Sequence, residues 1–462
     1  MSSKNILLRT GVWYTFSNFI SQGIVFLCTP IFTRILTKAE FGEFNNFVAI
    51  LNVFAIVLTL NLEATYISAK RDYEDEENYL SSVLKMSSVT VIAGMLLCAM
   101  FQNGICRFLS IKPLYLWIML IYIFFYPAIN LLLAKARFRF QYIQYILLNS
   151  GVGLISTIAA IVLVCNCKDA LLGRILGYAV PTIVVGVVCY VYIIARGKKL
   201  NFDMCKYALK IGLPYIPHLL SMTFLNFIDR IMITGMCGEE HTAIYGLGYS
   251  CATIVTVLMT SYNSAFSPWL AKKLENGEQN LKKESMKYIV LFLIPVGAML
   301  LLIPELVWIL GGNTYAEAQN VVLFISVGIV FQFIYTMYVN IEQFYKKTIG
   351  MAVASMLAAG LNFALNWLLI PVFGYTIAAV TTLIGYMFLL CAHMFLVKKL
   401  GKSGIYHTPQ IIGISILLVL LSCGLPILYD YALIRYGVCV LYVILSGIYL
   451  FNQWRKLKEV KS

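Results

Sequence analysis

Between residues 212 and 233 the chain reads GLPYIPHLLSMTFLNFIDRIMI, long and apolar enough to cross a bilayer, yet it holds Pro214, Pro217, His218, Asn226, Asp229 and Arg230. An ionised side chain deep in a bilayer costs about 2.5–3.5 kcal/mol even on the lenient insertion scale, so Asp229 and Arg230 must face water or protein. As a helix the step from His218 to Asp229 is three turns along one line, flanked by Pro214 and Ser221. Asp229 then lies about 27 Å from a helix start at residue 211, which puts it and Arg230 in the outer third. A guanidinium is a fork suited to bidentate phosphate binding and keeps its charge when buried better than an ammonium does. An imidazole can carry a proton near neutral pH, so His218 is read either as a proton carrier or as a neutral histidine in a helix seam. Pro214 and Pro217 remove backbone donors and bend a helix, which is tolerated at membrane depth where a cavity is lined, and they are candidate hinge points.

A second polar stripe precedes this one. On a helical wheel Tyr14, Asn18, Ser21, Gln22, Thr29 and Thr33 fall within about 60° of Asn18. An interhelical seam accounts for the hydroxyls and amides of both stripes, but less well for the charges. No nucleophile and base pair, metal-ligand cluster, Asp-x-Asp pair or Gly-rich Walker loop stands out, so the expectation is a protein that is not an enzyme and needs no metal or cofactor.

The elements that carry these stripes follow from composition. Of 462 residues 60% are hydrophobic and 12% charged, which marks an all-α integral membrane protein with no room for a soluble domain. About fourteen transmembrane helices are expected, near 11–33, 42–62, 81–102, 114–134, 143–164, 172–195, 211–234, 243–269, 288–310, 318–341, 350–371, 375–396, 410–429 and 432–452. The net charge of +14 is a matter of distribution: with the N-terminus inside, 27 of the 35 Lys and Arg residues fall on the cytoplasmic side. Both termini are therefore expected in the cytoplasm, and nucleic acid is not needed to explain the charge. The opening MSSKNILLRTGVWY lacks a cleavage-site pattern and reads as the start of a retained helix. The twelve cysteines are scattered, mostly in apolar spans, and read as core or lipid-facing thiols.

The first twelve spans form two sets of six. PIFTR precedes FGEF at the end of span 1, and FIDR precedes IYGLGY at the end of span 7. An even number of spans per set makes the repeats parallel, a transporter architecture. The expected organisation is two parallel six-helix lobes, 1–196 and 197–398, around a central cavity, with residues 399–462 adding helices 13 and 14 and a basic tail. The outer loops are short, which disfavours a membrane glycosyl polymerase or ligase. The acidic run Asp72, Glu74, Asp75, Glu76 and Glu77 reads as a solvated cytoplasmic loop, with a gate or a basic partner as the alternatives.

In these residues the chain resembles the polysaccharide transporter branch of the multidrug/oligosaccharidyl-lipid/polysaccharide exporter superfamily, the Wzx-type flippases. Pro214, Pro217, His218, Asp229, Arg230, Gly238, Tyr245 and Tyr249 match the family's middle signature, with Ala243 where Gly is common. Pro30, Arg34, Leu36, Phe41 and Gly42 match its N-terminal signature, with Thr37 and Lys38 where Gly-Pro is usual. AFSPWL at 265–270 and PVFGYTIAAVTT at 371–382 continue the likeness, with Ile377 for a customary Gly.

The resemblance implies a multi-pass protein of the bacterial cytoplasmic membrane that moves undecaprenyl-diphosphate-linked oligosaccharide repeat units to the outer leaflet by alternating access. Such units supply O-antigen, capsule or exopolysaccharide. Arg34 and Arg230 would attract the diphosphate in an outward-open cavity, with Arg9, Arg137 and Arg139 at the inner mouth and Asn18 and Gln22 on the cavity wall. Arg137 and Arg139 are explained about as well by topology alone. His218 and Asp229 are candidates for coupling to a proton or sodium gradient. Polysaccharide polymerase and chain-length machinery are candidate partners. The alternatives are a multidrug or cation antiporter of the same superfamily and a lipid-linked peptidoglycan precursor flippase.

Overall fold

The computed structural model describes residues 26–66, 72–139, 141–213, 216–278 and 280–459, together with Ser17, Gly23, Ile24 and Ala69. The described residues form helices in the order α1 (Phe26–Ile35), α2 (Lys38–Thr59), α3 (Glu76–Met100), α4 (Gln102–Leu109), α5 (Pro113–Phe138), α6 (Tyr142–Asn166) and α7 (Ala170–Arg196). There follow α8 (Phe202–Gly212), α9 (Ile216–Cys237), α10 (Glu239–Glu275), α11 (Lys282–Leu301), α12 (Ile303–Gly311) and α13 (Ala318–Phe344). The chain ends with α14 (Thr348–Phe373), α15 (Ile377–Lys399), α16 (Thr408–Tyr429) and α17 (Ala432–Glu459).

Thirteen of these are long and apolar enough to cross a membrane, and they correspond one to one with the expected spans from 42–62 onward. The first expected span, 11–33, lies mostly outside the described residues, and α1 covers its C-terminal end. Helix starts follow local chemistry. The Thr37 hydroxyl accepts from the Glu40 backbone N–H while the Glu40 carboxylate accepts from Thr37 N, a reciprocal capping box that opens α2. Asp169 caps α7 by accepting from Leu172 N at 2.9 Å, and Asn201 caps α8 through Asp203 N at 2.9 Å. The connection expected at 196–210 thus contains an amphipathic helix, α8, whose Met204, Cys205 and Ala208 are buried.

Two compact units divide the chain. Unit 1 comprises Met1–Gly246 and Ser355–Ala378, and unit 2 comprises Leu247–Ala354 and Ala379–Ser462. The boundaries fall inside α10, α14 and α15, a different partition from the two six-helix lobes expected above. The core of unit 1 is apolar packing of Phe47, Ile50, Leu116, Ile123 and Ile175 from α2, α5 and α7. In unit 2, α13 is the central helix, 83% of its apolar stretch being buried against 6% for α17, whose apolar side chains are mostly exposed. Phe292 and Phe333 stack at 4.0 Å in that core.

Candidate functional site

In unit 1 the end of α9 folds back on the start of α10, with Gly238 at φ +94° in the turn, a conformation that suits a residue without Cβ. The Thr234 and Thr242 hydroxyls, 2.8 Å apart, tie the two sides of that turn. Helix α2 approaches so closely that a Cβ on Gly42 would lie 1.7 Å from the Glu239 carbonyl oxygen. This contact explains the paired Gly positions of the two signatures: one makes the turn and the other admits its backbone.

The turn holds Asp229 and Tyr245 in register. Tyr245 Oη donates to Asp229 Oδ2 at 2.5 Å, and Asn366 Nδ2 on α14 donates to Oδ1 at 2.6 Å. Asn366 Nδ2 also reaches Asn362 Oδ1 at 3.3 Å. All four side chains are fully buried, so each carboxylate oxygen is met by a fixed donor where water is excluded. Asn362 and Asn366 are absent from the candidates picked out of the sequence. The signal available was two amides four residues apart on one face of the apolar run GLNFALNWLL.

Arg230 is buried, 9% exposed, with its guanidinium 5.3 Å from the centre of the Phe227 ring. Arg34 is exposed in the last turn of α1. Pro217 falls in the first turn of α9, where a proline sacrifices no intrahelical hydrogen bond, and its carbonyl accepts from the Ser221 hydroxyl at 2.7 Å. His218 is in the same turn, and its side chain lies outside the described residues. Arg9, Asn18, Gln22 and Pro214 also lie outside them.

The remaining candidates, Arg137 and Arg139, are engaged within unit 1. Arg137 donates to Tyr145 Oη at 3.0 Å, and Arg139 forms an ion pair with Glu76. Lys135 pairs with Glu77 at 2.5 Å, Lys198 with Asp75 at 2.8 Å, and Tyr207 donates to Asp72. The acidic run is a solvated segment at Asp72, Glu74 and Asp75, as expected, but not at Glu76, which is buried at the start of α3. Glu76 is 6% exposed, and carboxylates at this end of α3 are bound by cations from α5 and from the α7–α8 connection.

Also in unit 1, a cavity of about 730 Å³ is lined by Ile50, Phe54, Phe224, Ile228, Phe363 and Trp367, with Arg107 as the charged residue of its described wall. Its walls suit hydrocarbon, and neither Asp229 nor Arg230 lines it.

The family described as "Polysaccharide biosynthesis protein" matches residues 7–274, and the MatE family matches residues 214–368. Protein 1 of the Lsg locus of Haemophilus influenzae is 25% identical over 362 residues, covering 74% of this chain and 86% of its own length. Among solved structures, "Lipid II flippase MurJ, inward closed conformation" superposes with a TM-score of 0.70 at 14% identity, covering 96% of this chain and 99% of its own. The MATE multidrug transporter DinF-BH gives a TM-score of 0.60 at 12% identity, covering 88% and 98%. At such identities the two structures report the fold.

Proposed function

Because the chain belongs to the polysaccharide biosynthesis protein family and is a multi-pass all-α membrane protein, we propose that it is a flippase for undecaprenyl-diphosphate-linked oligosaccharide repeat units. It moves them across the bacterial cytoplasmic membrane by alternating access of two six-helix lobes, 1–196 and 197–398, for a surface polysaccharide. The observation that carries this reading is the extent of the family match, residues 7–274, which takes in Arg34 as well as Asp229 and Arg230. The fold shared with a lipid flippase and a multidrug transporter is compatible with it.

In this reading Arg34 and Arg230 attract the diphosphate at the outer part of the cavity, because guanidinium forks match phosphate oxygens. Arg9, Asn18 and Gln22 line the cavity. Arg137 and Arg139 serve at the inner mouth only after leaving Tyr145 and Glu76. Asp229 and His218 are the coupling candidates, for a proton or sodium gradient, and Pro214 and Pro217 the gating ones. Both termini are cytoplasmic, and the exported unit passes to a polymerase and its chain-length machinery.

Cells lacking the gene test the reading. Undecaprenyl-linked oligosaccharide should accumulate in the inner leaflet while surface polysaccharide is lost, and mass spectrometry of the extracted lipid identifies the sugar. Normal lipids with heightened sensitivity to cationic dyes would instead establish a cation antiporter. Arg34→Ala and Arg230→Ala should each lower surface polymer at unchanged protein level; unchanged export in both would remove the arginines from the mechanism.

A further inference from the structure

A second cavity, of about 570 Å³, lies within unit 2, where the start of α11, the last turn of α15 and the start of α16 come together. Lys282, Lys398 and His407 line it, and no described acidic residue does. Lys282 and Lys398 form no ion pair among the described residues, whereas Lys273, in the last turn of α10, pairs with Glu278 at 2.9 Å. His407 caps α16 by accepting from Gln410 N through Nδ1, so in that state its ring proton is on Nε2, as a donor. The buried Tyr338 lines the same cavity. The walls are fixed: Tyr406 Oη donates to the Met337 carbonyl at 3.0 Å, and Leu281 N to the Ile405 carbonyl at 3.2 Å. On the other side the lining is apolar, with Met394, Pro409 and Phe395, the last 65% exposed.

Two unneutralised ammonium groups, an imidazole donor and a phenol call for a phosphate-bearing anion. An apolar lip at a helix-end interface calls for acyl chains. We propose that this cavity binds the headgroup of an anionic phospholipid, its phosphate on Lys282 and Lys398 and its chains along Phe395 and Met394. Basic pockets between helix ends at a membrane surface are suited to this chemistry. The site is independent of the cargo proposed above.

Purified full-length protein in detergent, titrated with phosphatidylglycerol, phosphatidylcholine or inorganic phosphate and followed by Tm, tests it. Phosphatidylglycerol should raise Tm saturably and phosphatidylcholine should not. Replacing both lysines, Lys282→Gln with Lys398→Gln, should weaken the apparent affinity roughly 30-fold, since each lysine near an anionic surface contributes about a factor of five. The neighbouring pair Lys283→Gln with Lys399→Gln, outside the cavity lining, should leave it intact. An equal phosphatidylglycerol shift in wild type and the 282/398 variant, or equal loss in both variant pairs, overturns the site. The same lysine-dependent shift with inorganic phosphate alone overturns the lipid. Should the 282/398 pair fail to fold, each single variant carries the test, with about a fivefold loss expected. Polysaccharide export is not read in any arm, so failure here leaves the flippase reading standing.

Discussion

Unit 1 and unit 2 each bury a carboxylate, and they satisfy it differently. Asp229 in unit 1 receives the Tyr245 hydroxyl on one oxygen and the Asn366 amide on the other, at 2.5 and 2.6 Å. Glu342 in unit 2 meets His393 Nδ1 at 2.8 Å, both side chains 1% exposed, while its second oxygen has no hydrogen-bond partner among the described residues. The Tyr335 ring stacks on that imidazole at 5.4 Å. The Tyr245 hydroxyl and the Asn366 amide each meet one Asp229 oxygen with a dipole. At Glu342 a single imidazole meets one oxygen, so the buried carboxylate depends on that one partner for compensation. The lesson is that a buried acid in this protein is a statement about its partners, and each partnership fails in its own way.

Glu342→Ala should show the larger effect. It leaves His393 buried without its acceptor, and removing one member of a buried pair costs about 3–5 kcal/mol. Denaturation of the full chain in detergent measures it. Adding His393→Leu should recover much of the loss, because an apolar pair does not need compensation in that core. Strictly additive losses would show that the 2.8 Å contact couples nothing.

At Asp229 the expected effect is smaller. Tyr245→Phe removes one donor and leaves a buried oxygen underserved, about 1–3 kcal/mol by the same measurement. Asp229→Asn combined with Tyr245→Phe should cost less than the sum, because the amide needs that donor less than the carboxylate does. A loss at Tyr245 as large as at Glu342 would erase the distinction between the two carboxylates.

Much of the fold was legible because membrane spans announce themselves by length and hydropathy, and thirteen expected spans fall on thirteen helices. The α9–α10 turn was legible too, since Asp229, Gly238 and Tyr245 lie close in sequence and in order. Partners far apart in the chain were not. Asn366 comes from a helix 137 residues beyond Asp229, and nothing in its own apolar surroundings points back. His393 and Glu342, 51 residues apart, are single polar residues in apolar runs, which periodicity cannot pair. The burial of Glu76 was hidden for the same reason: the composition of run 72–77 is that of a loop, and the cations that bind Glu77 and Glu76, Lys135 and Arg139, are some sixty residues away. Helix α8 did carry a local signal, with Asn201 as cap and Met204, Cys205 and Ala208 spaced along one face.

The smallest effect separates a surface contact from either buried carboxylate. Asp75 accepts from Lys198 Nζ at 2.8 Å, and that hydrogen bond, with a second from the Asn78 backbone N–H, holds its carboxyl below the ordinary aspartate range. A depressed folded-state value means the contribution is present at pH above the unfolded carboxyl range and is lost as pH falls through the folded one. Asp75→Asn keeps the cap on α3, because an amide oxygen still accepts from Asn78 N, and removes only the charge. Wild type and Asp75→Asn should therefore differ slightly in Tm at neutral pH and low salt and converge in acid. They should also converge at high salt, since exposed charges are screened. A difference that persists in molar salt would mean that Asp75 is held as tightly as Asp229, and that the acidic run is part of the core of unit 1 rather than its charged rim.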